Sequence, residues 1–464
     1  KKGDAQVRQM FCEKNWFGRR EEDFFLFSQP CVPAMNSAGQ WCVLGPGRVL
    51  MKPGGHGVIW KLASELGALK WLEQKGVKKL LTRQINNLVA SIDYGLLAFM
   101  GIGFCQELDF GFASCPCAKG MSEGVNIVIE GEKGYSLTNI EYCDIEHFQV
   151  EKSLLANTNL LLVNLNSIPD LLSSNPIPGM LVNAKRMKYR DAKGNIREEE
   201  ILRLESMMQN LADALVEKEF PQRSFITSNK RKKTISTIKK EFAFGSSMVQ
   251  TPEQCYLDIL ENASDLLINY CGFQVPKLRD AMHFFQQGPS FIFHYHPCLG
   301  PLYQVIAQKL RKGRLARGSE VKLSIADLFA EKLDVDGSLS IYTDAMMGHV
   351  DEEGILQYSD QTGKCVLKNV KVRNSGINRE ASRCLWKDEI AHREKCEIII
   401  EEGGEFFAEN VLLRGALRIR VPSGVKVVAS MEKGCLKFSQ EVITEPSWTW
   451  KYSISVESTI QLEN

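Results

Sequence analysis

The sequence predicts an α/β core followed by an all-β C-terminal domain. Through about residue 230, apolar strand-like runs alternate with helical periodicity, the pattern of a largely parallel sheet with crossover helices. From about residue 356 that periodicity is lost, and short alternating pieces recur between Gly, Asn and Pro-Ser-Gly turns. At 464 residues the chain is also too long for one ordinary domain. The division is drawn as a core at 1–355, with a basic loop near 228–250, and a β domain at 356–464, read as a small β-helix or a sandwich.

The elements follow in order. Ile59, Leu62, Ala63 and Leu66 fall at i, i+3, i+4 and i+7, so a helix is expected from Val58 to about Glu73, with Gly76 as its stop. A strand at 78–86 and a helix from about Val89 to Gly103 come next. Strands are expected at Phe110–Ser114, Val125–Glu130, Tyr135–Tyr142 and Leu160–Leu165, then a short helix at Ile168–Leu172 and a strand at Met180–Met187. Glu198–Glu217 reads as a long helix. Thr251-Pro252-Glu253-Gln254 places Thr at an N-cap, Pro at N1 and Gln at N3, opening a helix to about Tyr270. The tail strands are Cys365–Val372, Glu397–Glu401, Val411–Leu413, Leu417–Val421 and Val425–Ala429. Trp448 and Trp450 read as packing residues.

Composition narrows the function. With 57 Lys+Arg against 56 Asp+Glu, the net charge of +1 favours neither nucleic acid nor a membrane surface. No apolar run is long enough for a transmembrane helix, and the first residues show no signal peptide. The 14 cysteines are scattered, and Cys115-Pro116-Cys117 is too tight for a zinc knuckle, so reduced thiols in a cytosol-like compartment are expected. His294-Tyr295-His296 puts both rings on one strand face, as a structural pair or as metal ligands lacking a third partner nearby in sequence.

The most informative stretch is Lys52-Pro53-Gly54-Gly55-His56-Gly57. Glycines around a histidine, just before a helix, let backbone approach a flat or anionic ligand, or simply make a tight strand-to-helix turn. It is neither a Walker loop nor the dinucleotide fingerprint. Around it stand Phe17-Gly18-Arg19, Phe27-Ser28-Gln29-Pro30, Gln84-Ile85-Asn86-Asn87-Leu88, Asn157-Thr158-Asn159-Leu160, Asn183-Ala184-Lys185, Gly288-Pro289 through Leu302 and Trp448-Thr449-Trp450. In this order the pieces resemble the UDP-sugar pyrophosphorylase family, the UTP–hexose-1-phosphate uridylyltransferases, most of all the plastid-type UDP-glucose pyrophosphorylase and its bacterial relatives.

The resemblance implies a Rossmann-like, GT-A type nucleotidyltransferase core. It implies UTP and a sugar 1-phosphate as substrates, glucose 1-phosphate before others, and Mg²⁺ bridging the phosphates. It places Gln29 and Gly55 at uracil, with Gly54, His56, Gln84 and Asn86 also on the nucleotide side. Asn157, Asn159, Asn183 and Glu205, the last in the helix expected there, face the sugar. Lys185 and, on weaker grounds, Lys230 and Arg231 are the catalytic cations. The basic run 230–240 reads equally as solvated surface or as phosphate capture, and carries no aromatic platform for RNA.

Two departures stand out. Asn86 occupies the position where the family usually has a metal-binding aspartate, leaving Asn86 and Asp93 as candidate metal ligands. No segment before Phe17 matches the family's Gly-rich triphosphate loop. The alternatives to an active glucose enzyme are a non-catalytic UDP-sugar-binding relative and a UDP-N-acetylhexosamine pyrophosphorylase. The oligomeric state is not legible.

Overall fold

A computed structural model describes residues 2–90, 92–118, 123–141, 145, 154–191, 193–243, 245–278, 281–346, 349–350, 356–357, 361–381, 390–445, 448–456 and 459–463. The chain divides into two compact units, Lys1–Ile85 with Gly95–Thr234, and Asn86–Tyr94 with Ile235–Asn464. The line expected near 355 thus falls differently, because the strand stacking of the second unit begins well before residue 356.

The first unit is built on a six-stranded sheet. Its order runs Ser224–Ser228, Phe110–Pro116, Leu155–Asn164, Val125–Gly131, Gly134–Ile140, and Lys79–Thr82 also pairs with Leu155–Asn164. Only Ser224–Ser228 runs parallel to its neighbour; the other pairs are antiparallel. This corrects the expected largely parallel sheet. Val125–Gly131 and Gly134–Ile140 are joined by a tight hairpin, with no room for the crossover helix a parallel pair needs. Phe110, Phe112, Leu161 and Val163, all 0% exposed, form the core with Trp60 and Leu211.

The expected helix 58–73 is two helices, Val58–Glu65 and Ala68–Gln74, parted where Gly67 turns left-handed at φ 81°. The expected helix 89–103 is Tyr94–Cys105.

The largest correction concerns Glu198–Glu217. Ile196–Glu205 is a strand, antiparallel to Leu181–Arg190, and only Met208–Ala214 is helical, as a 3₁₀ turn. Glu, Arg and Leu are good helix formers, but here the charges pair within a hairpin. Lys188 meets Glu198 at 3.7 Å and Arg197 meets Asp191 at 3.0 Å, while Gly194 at φ 85° closes the turn.

In the second unit, parallel strands stack in register in two sheets. One contains Leu310–Leu315, Asp327–Asp336, Lys364–Lys368, Glu405–Glu409 and Val425–Glu432, the other Ile292–Tyr295, Glu320–Ser324, Ser338–Thr343, Cys396–Ile400 and Leu417–Val421. Alternate residues point into one core. Leu328, Cys365, Leu367, Ile398, Ile400 and Val421 are all 0% exposed there. The helix Pro252–Asp265 begins where expected, its Thr251 hydroxyl accepting from the Gln254 N–H at 3.4 Å.

Lys309 is buried in this unit. Its Nζ donates to the Ala326 carbonyl at 3.0 Å and lies 5.6 Å and 5.9 Å from the Trp448 and Trp450 ring centres. Beside it the Asp327 carboxylate accepts the Thr449 N–H at 2.9 Å. These contacts confirm the packing role of the two tryptophans. Burial lowers the Lys309 pKa from 10.5 to about 8, against the pull of Asp327. With the folded pKa below the unfolded one, the unfolded chain holds the extra proton between those values. Stability is therefore expected to rise as pH climbs from 8 toward 10.5. Lys309→Met is expected to remove that dependence. Melting temperatures of both chains across this pH range check it.

All twelve cysteines among the described residues are free. No described helix is long and apolar enough to cross a membrane.

Candidate functional site

The site grows from the turn 54–57 in the first unit. The strand Met51–Pro53 pairs antiparallel with Cys31–Pro33 and delivers the chain to Gly54. Gly55 sits at φ 89°, and a Cβ there would lie 2.3 Å from both N and O of Ser206. At Gly57 a Cβ would lie 2.2 Å from Ser206 Oγ. The glycines allow two backbones to touch: Gly57 N–H donates to Ser206 O at 2.8 Å, and Ser206 N–H to Gly54 O at 3.0 Å. The loop therefore docks on the segment just after the strand Ile196–Glu205, which accounts for Gly55 and Gly57 without any ligand.

His56 closes the same contact. Its Nδ1 accepts the Met208 N–H at 3.1 Å, while Trp60 Nε1 donates to the Met208 carbonyl at 2.8 Å. Burial lowers the His56 pKa below 6.5, opposed by the charge of Glu205. A neutral ring accepting at Nδ1 carries its proton on Nε2. Gln29 Nε2 donates to the Gly55 carbonyl. Asn183 Nδ2 donates to Glu205 Oε2 at 3.0 Å, and Arg203 also pairs with Glu205. Lys185 is exposed two residues beyond Asn183, hence on the same strand face. The structure thus brings Gln29, Gly54, Gly55, His56, Asn183, Lys185 and Glu205 to one end of the first unit. Glu205 reaches it from a strand, whereas the sequence suggested a helix.

His56 and Gln84 line a cavity of about 640 Å³ with Phe25, Phe27, Trp60 and Trp71. Its wall is mostly apolar with a few polar groups among the lining residues, the usual composition of a small-molecule pocket. Thr82 lines it too, and its Oγ1 is buried with no hydrogen-bond partner. Sequence reasoning missed Thr82, since nothing in Leu-Leu-Thr-Arg marks a strand end facing a cavity.

Asn157-Thr158-Asn159 forms a bulge in the strand Leu155–Asn164, with the register slipping between Asn157 and Leu160 and Asn159 at φ 56°. Asn157 Oδ1 accepts the Asn159 N–H at 3.0 Å, and Asn157 Nδ2 donates to Asn159 Oδ1 at 3.0 Å. Leu161 pairs with Thr82 in antiparallel register, so Asn159 and Gln84 leave the sheet at the same end. Beneath this end lies a buried polar chain that the sequence did not reveal: Asn126 Nδ2 to Ser114 Oγ at 2.7 Å, Asn139 Nδ2 to Asn126 Oδ1 at 3.0 Å, and Gln209 Nε2 to Asn139 Oδ1 at 3.1 Å. Asparagines inside strands, where they are disfavoured, were the available signal.

Three candidates are placed otherwise than expected. The Arg231 guanidinium grips both carboxylate oxygens of Glu123 and donates to Pro116 O at 3.0 Å, so its charge is already matched; Lys230 beside it is exposed. Asn86 and Asp93 fall in the second unit. Asn86 Nδ2 donates to Ile238 O at 3.0 Å, and the Asp93 carboxylate, 6% exposed, accepts the Tyr303 N–H at 3.1 Å. Among the described residues no group of three or more His, Cys, Asp or Glu gathers to hold a metal ion. His296 Nδ1 accepts the Cys298 N–H at 3.1 Å, a structural cap, so the histidine pair is not a ligand set.

What these groups can do is bind and orient. The turn region offers amides, backbone carbonyls and a neutral imidazole. A chemistry of positioning suits them better than one of proton transfer. A family model for UTP–glucose-1-phosphate uridylyltransferase matches residues 5–239, more than half of the chain. The chain belongs to the UTP–glucose-1-phosphate uridylyltransferase family. A second model, for UGP3-like C-terminal hexapeptide repeats, matches residues 310–464, the stacked strands of the second unit. The chain is 36% identical over 486 aligned residues to the UTP–glucose-1-phosphate uridylyltransferase 3, chloroplastic, of Arabidopsis thaliana, covering 96% of this chain and 55% of that relative. It therefore spans about half the relative's length. A solved structure described as a UDP-N-acetylglucosamine pyrophosphorylase of Entamoeba histolytica shares the fold, with TM-score 0.52 and 14% identity over 67% of this chain and 74% of that one. Members of the family thus share with this chain a mixed α/β core, and the hexapeptide-repeat region extends it.

Proposed function

We propose that the first unit carries the uracil- and sugar-recognising part of a UTP–hexose-1-phosphate uridylyltransferase, with glucose 1-phosphate as the sugar substrate. The observation that carries this reading is the docking of the turn 54–57 on Ser206 and Met208. It sets His56, with Gln29 and Gly55 next to it, at the cavity that Thr82 and Gln84 also line. In this reaction a phosphate oxygen of the sugar 1-phosphate attacks the α-phosphorus of UTP. One P–O bond forms, the bond to the β-phosphate breaks, and pyrophosphate leaves. Such a transfer needs alignment and charge neutralisation more than acid–base help. The Gln29 and Gln84 amides each offer a donor and an acceptor to the imide edge of uracil. Asn157, Asn159, Asn183 and Glu205 are the polar groups for the sugar hydroxyls, and Lys185 and Lys230, both exposed, supply positive charge to phosphate.

The family assignment also supports reading the core as GT-A type and the parallel stack of the second unit as a β-helix, with a plastid as the site of action. A second reading, a UDP-sugar-binding relative without turnover, is favoured by the pairing of Arg231 with Glu123.

Melting temperatures with UDP-glucose, UDP-N-acetylglucosamine and ADP-glucose test the proposal. Ligand at a hundredfold excess over its Kd stabilises by about 2.7 kcal/mol. UDP-glucose is expected to stabilise and ADP-glucose not to; equal stabilisation by both would remove the uracil assignment. Gln29→Ala, which leaves the Gly55 carbonyl without its amide, is expected to weaken UTP binding by about 1–3 kcal/mol. Titration calorimetry measures it, and an unchanged affinity would remove Gln29 from the site.

A further inference from the structure

The second unit contains a cavity of its own, about 510 Å³, reached from the strand Ile292–Tyr295 and the helix Pro252–Asp265. None of the uracil or sugar candidates lines it. Two residues with polar side chains, His294 and Tyr295, are among those that line it. Among the described residues, no protein group hydrogen-bonds the imidazole of His294 or the hydroxyl of Tyr295. His294 is set deep enough that burial lowers its pKa from 6.5 to about 4, so the ring is neutral and presents one donor and one acceptor. The Tyr256 ring meets it edge-on at 5.5 Å and 83°.

The lining decides the ligand class. Phe293, Tyr256, Tyr295 and Tyr303 give aromatic faces, and aliphatic and proline residues supply most of what remains. No Lys or Arg lines the cavity, and the Asp93 carboxylate does, so a phosphate or carboxylate would be repelled. A sugar would leave most of its hydroxyls unpaired against such a wall. A flat ring with one or two hydrogen-bonding atoms meets neither objection, and the volume admits it with room to spare. We infer that this cavity is a second ligand site, which binds an uncharged planar heteroaromatic molecule between the aromatic side chains, with His294 reading a heteroatom of the ring.

The probe is indole, followed by saturation-transfer NMR on the whole chain. Saturable binding is expected. It is expected to weaken about tenfold in His294→Phe, which keeps the ring volume but not the hydrogen bonds, since a lost buried hydrogen bond is about one factor of ten. Ala263→Phe, which fills the cavity, is expected to abolish it, and indole-3-acetate, an anion of the same ring, is expected not to bind. Absence of saturable indole binding to the native chain overturns the inference. So does binding that survives Ala263→Phe in a chain that melts normally. If Ala263→Phe fails to fold, His294→Phe decides alone: an affinity equal to native removes the site.

Discussion

Gly55→Ala is expected to destabilise the first unit by about 2–5 kcal/mol and to abolish UDP-glucose binding. Two costs add. The left-handed backbone at φ 89° is open to glycine and costs a residue with a Cβ about 1–2 kcal/mol. The methyl group would then overlap the backbone N and O of Ser206, each 2.3 Å away, and backbone cannot swing aside as a side chain can. Either the turn or the segment 206–208 must move, and with it the Met208 N–H held by His56. Gly67→Ala separates the costs, because Gly67 has φ 81° but a methyl group there would meet nothing within 4 Å. It is expected to lose only the backbone part and to keep binding. Urea midpoints and UDP-glucose titrations of the three chains measure this. A Gly55→Ala chain as stable as Gly67→Ala would show that the contact with Ser206 is not made.

Glu320→Gln is expected to cost about 1–3 kcal/mol in the second unit, the Lys322 ammonium it leaves behind being 35% exposed and partly screened by water. The carboxylate is 1% exposed, with His392 Nε2 at 2.5 Å and Lys322 Nζ at 2.9 Å. Burial alone would raise its pKa, but the hydrogen bonds from His392 and Lys322 outweigh burial and bring it from 4.5 to about 2. A folded pKa below the unfolded one means stability that is fully present above pH 4.5 and lost as pH falls toward 2. The variant removes the charge that Lys322 and His392 hold in place. Acid unfolding of the native chain should therefore steepen below pH 4.5, and the Glu320→Gln chain should lack that component. Parallel acid titrations of both would sink the assignment.

Much of the stacked region was legible because its signal is local. Cys396–Ile400 and Leu417–Val421 alternate buried and outward residues, and period two needs no partner to be seen. The helix at Thr251-Pro252 was legible for the same reason, its cap lying within four residues. Strand direction was not, because it depends on which distant strand becomes the neighbour. Lys79–Thr82 and Leu155–Asn164 lie far apart in sequence yet pair antiparallel. The strand Ile196–Glu205 was misread because glutamate, arginine and leucine favour helices until a facing strand supplies their charges. At the site, the turn 54–57 could be located from its glycines, but their reason could not. The atoms that exclude a side chain at Gly55 belong to Ser206, some 150 positions away in sequence. Arg231 and Asp93 carried the right chemistry for phosphate and metal. Only the folded chain reveals that Glu123 and the Tyr303 N–H already engage them.

Saturation-transfer NMR with UDP-glucose tests the central claim most directly, since it reports which part of the ligand touches the protein. The account predicts strong transfer to the uracil H5 and H6 protons in the native chain and its loss in Gln84→Ala, with glucose protons less affected. Transfer confined to the glucose ring, or uracil transfer unchanged in Gln84→Ala, would contradict the placement of the base beside the turn 54–57.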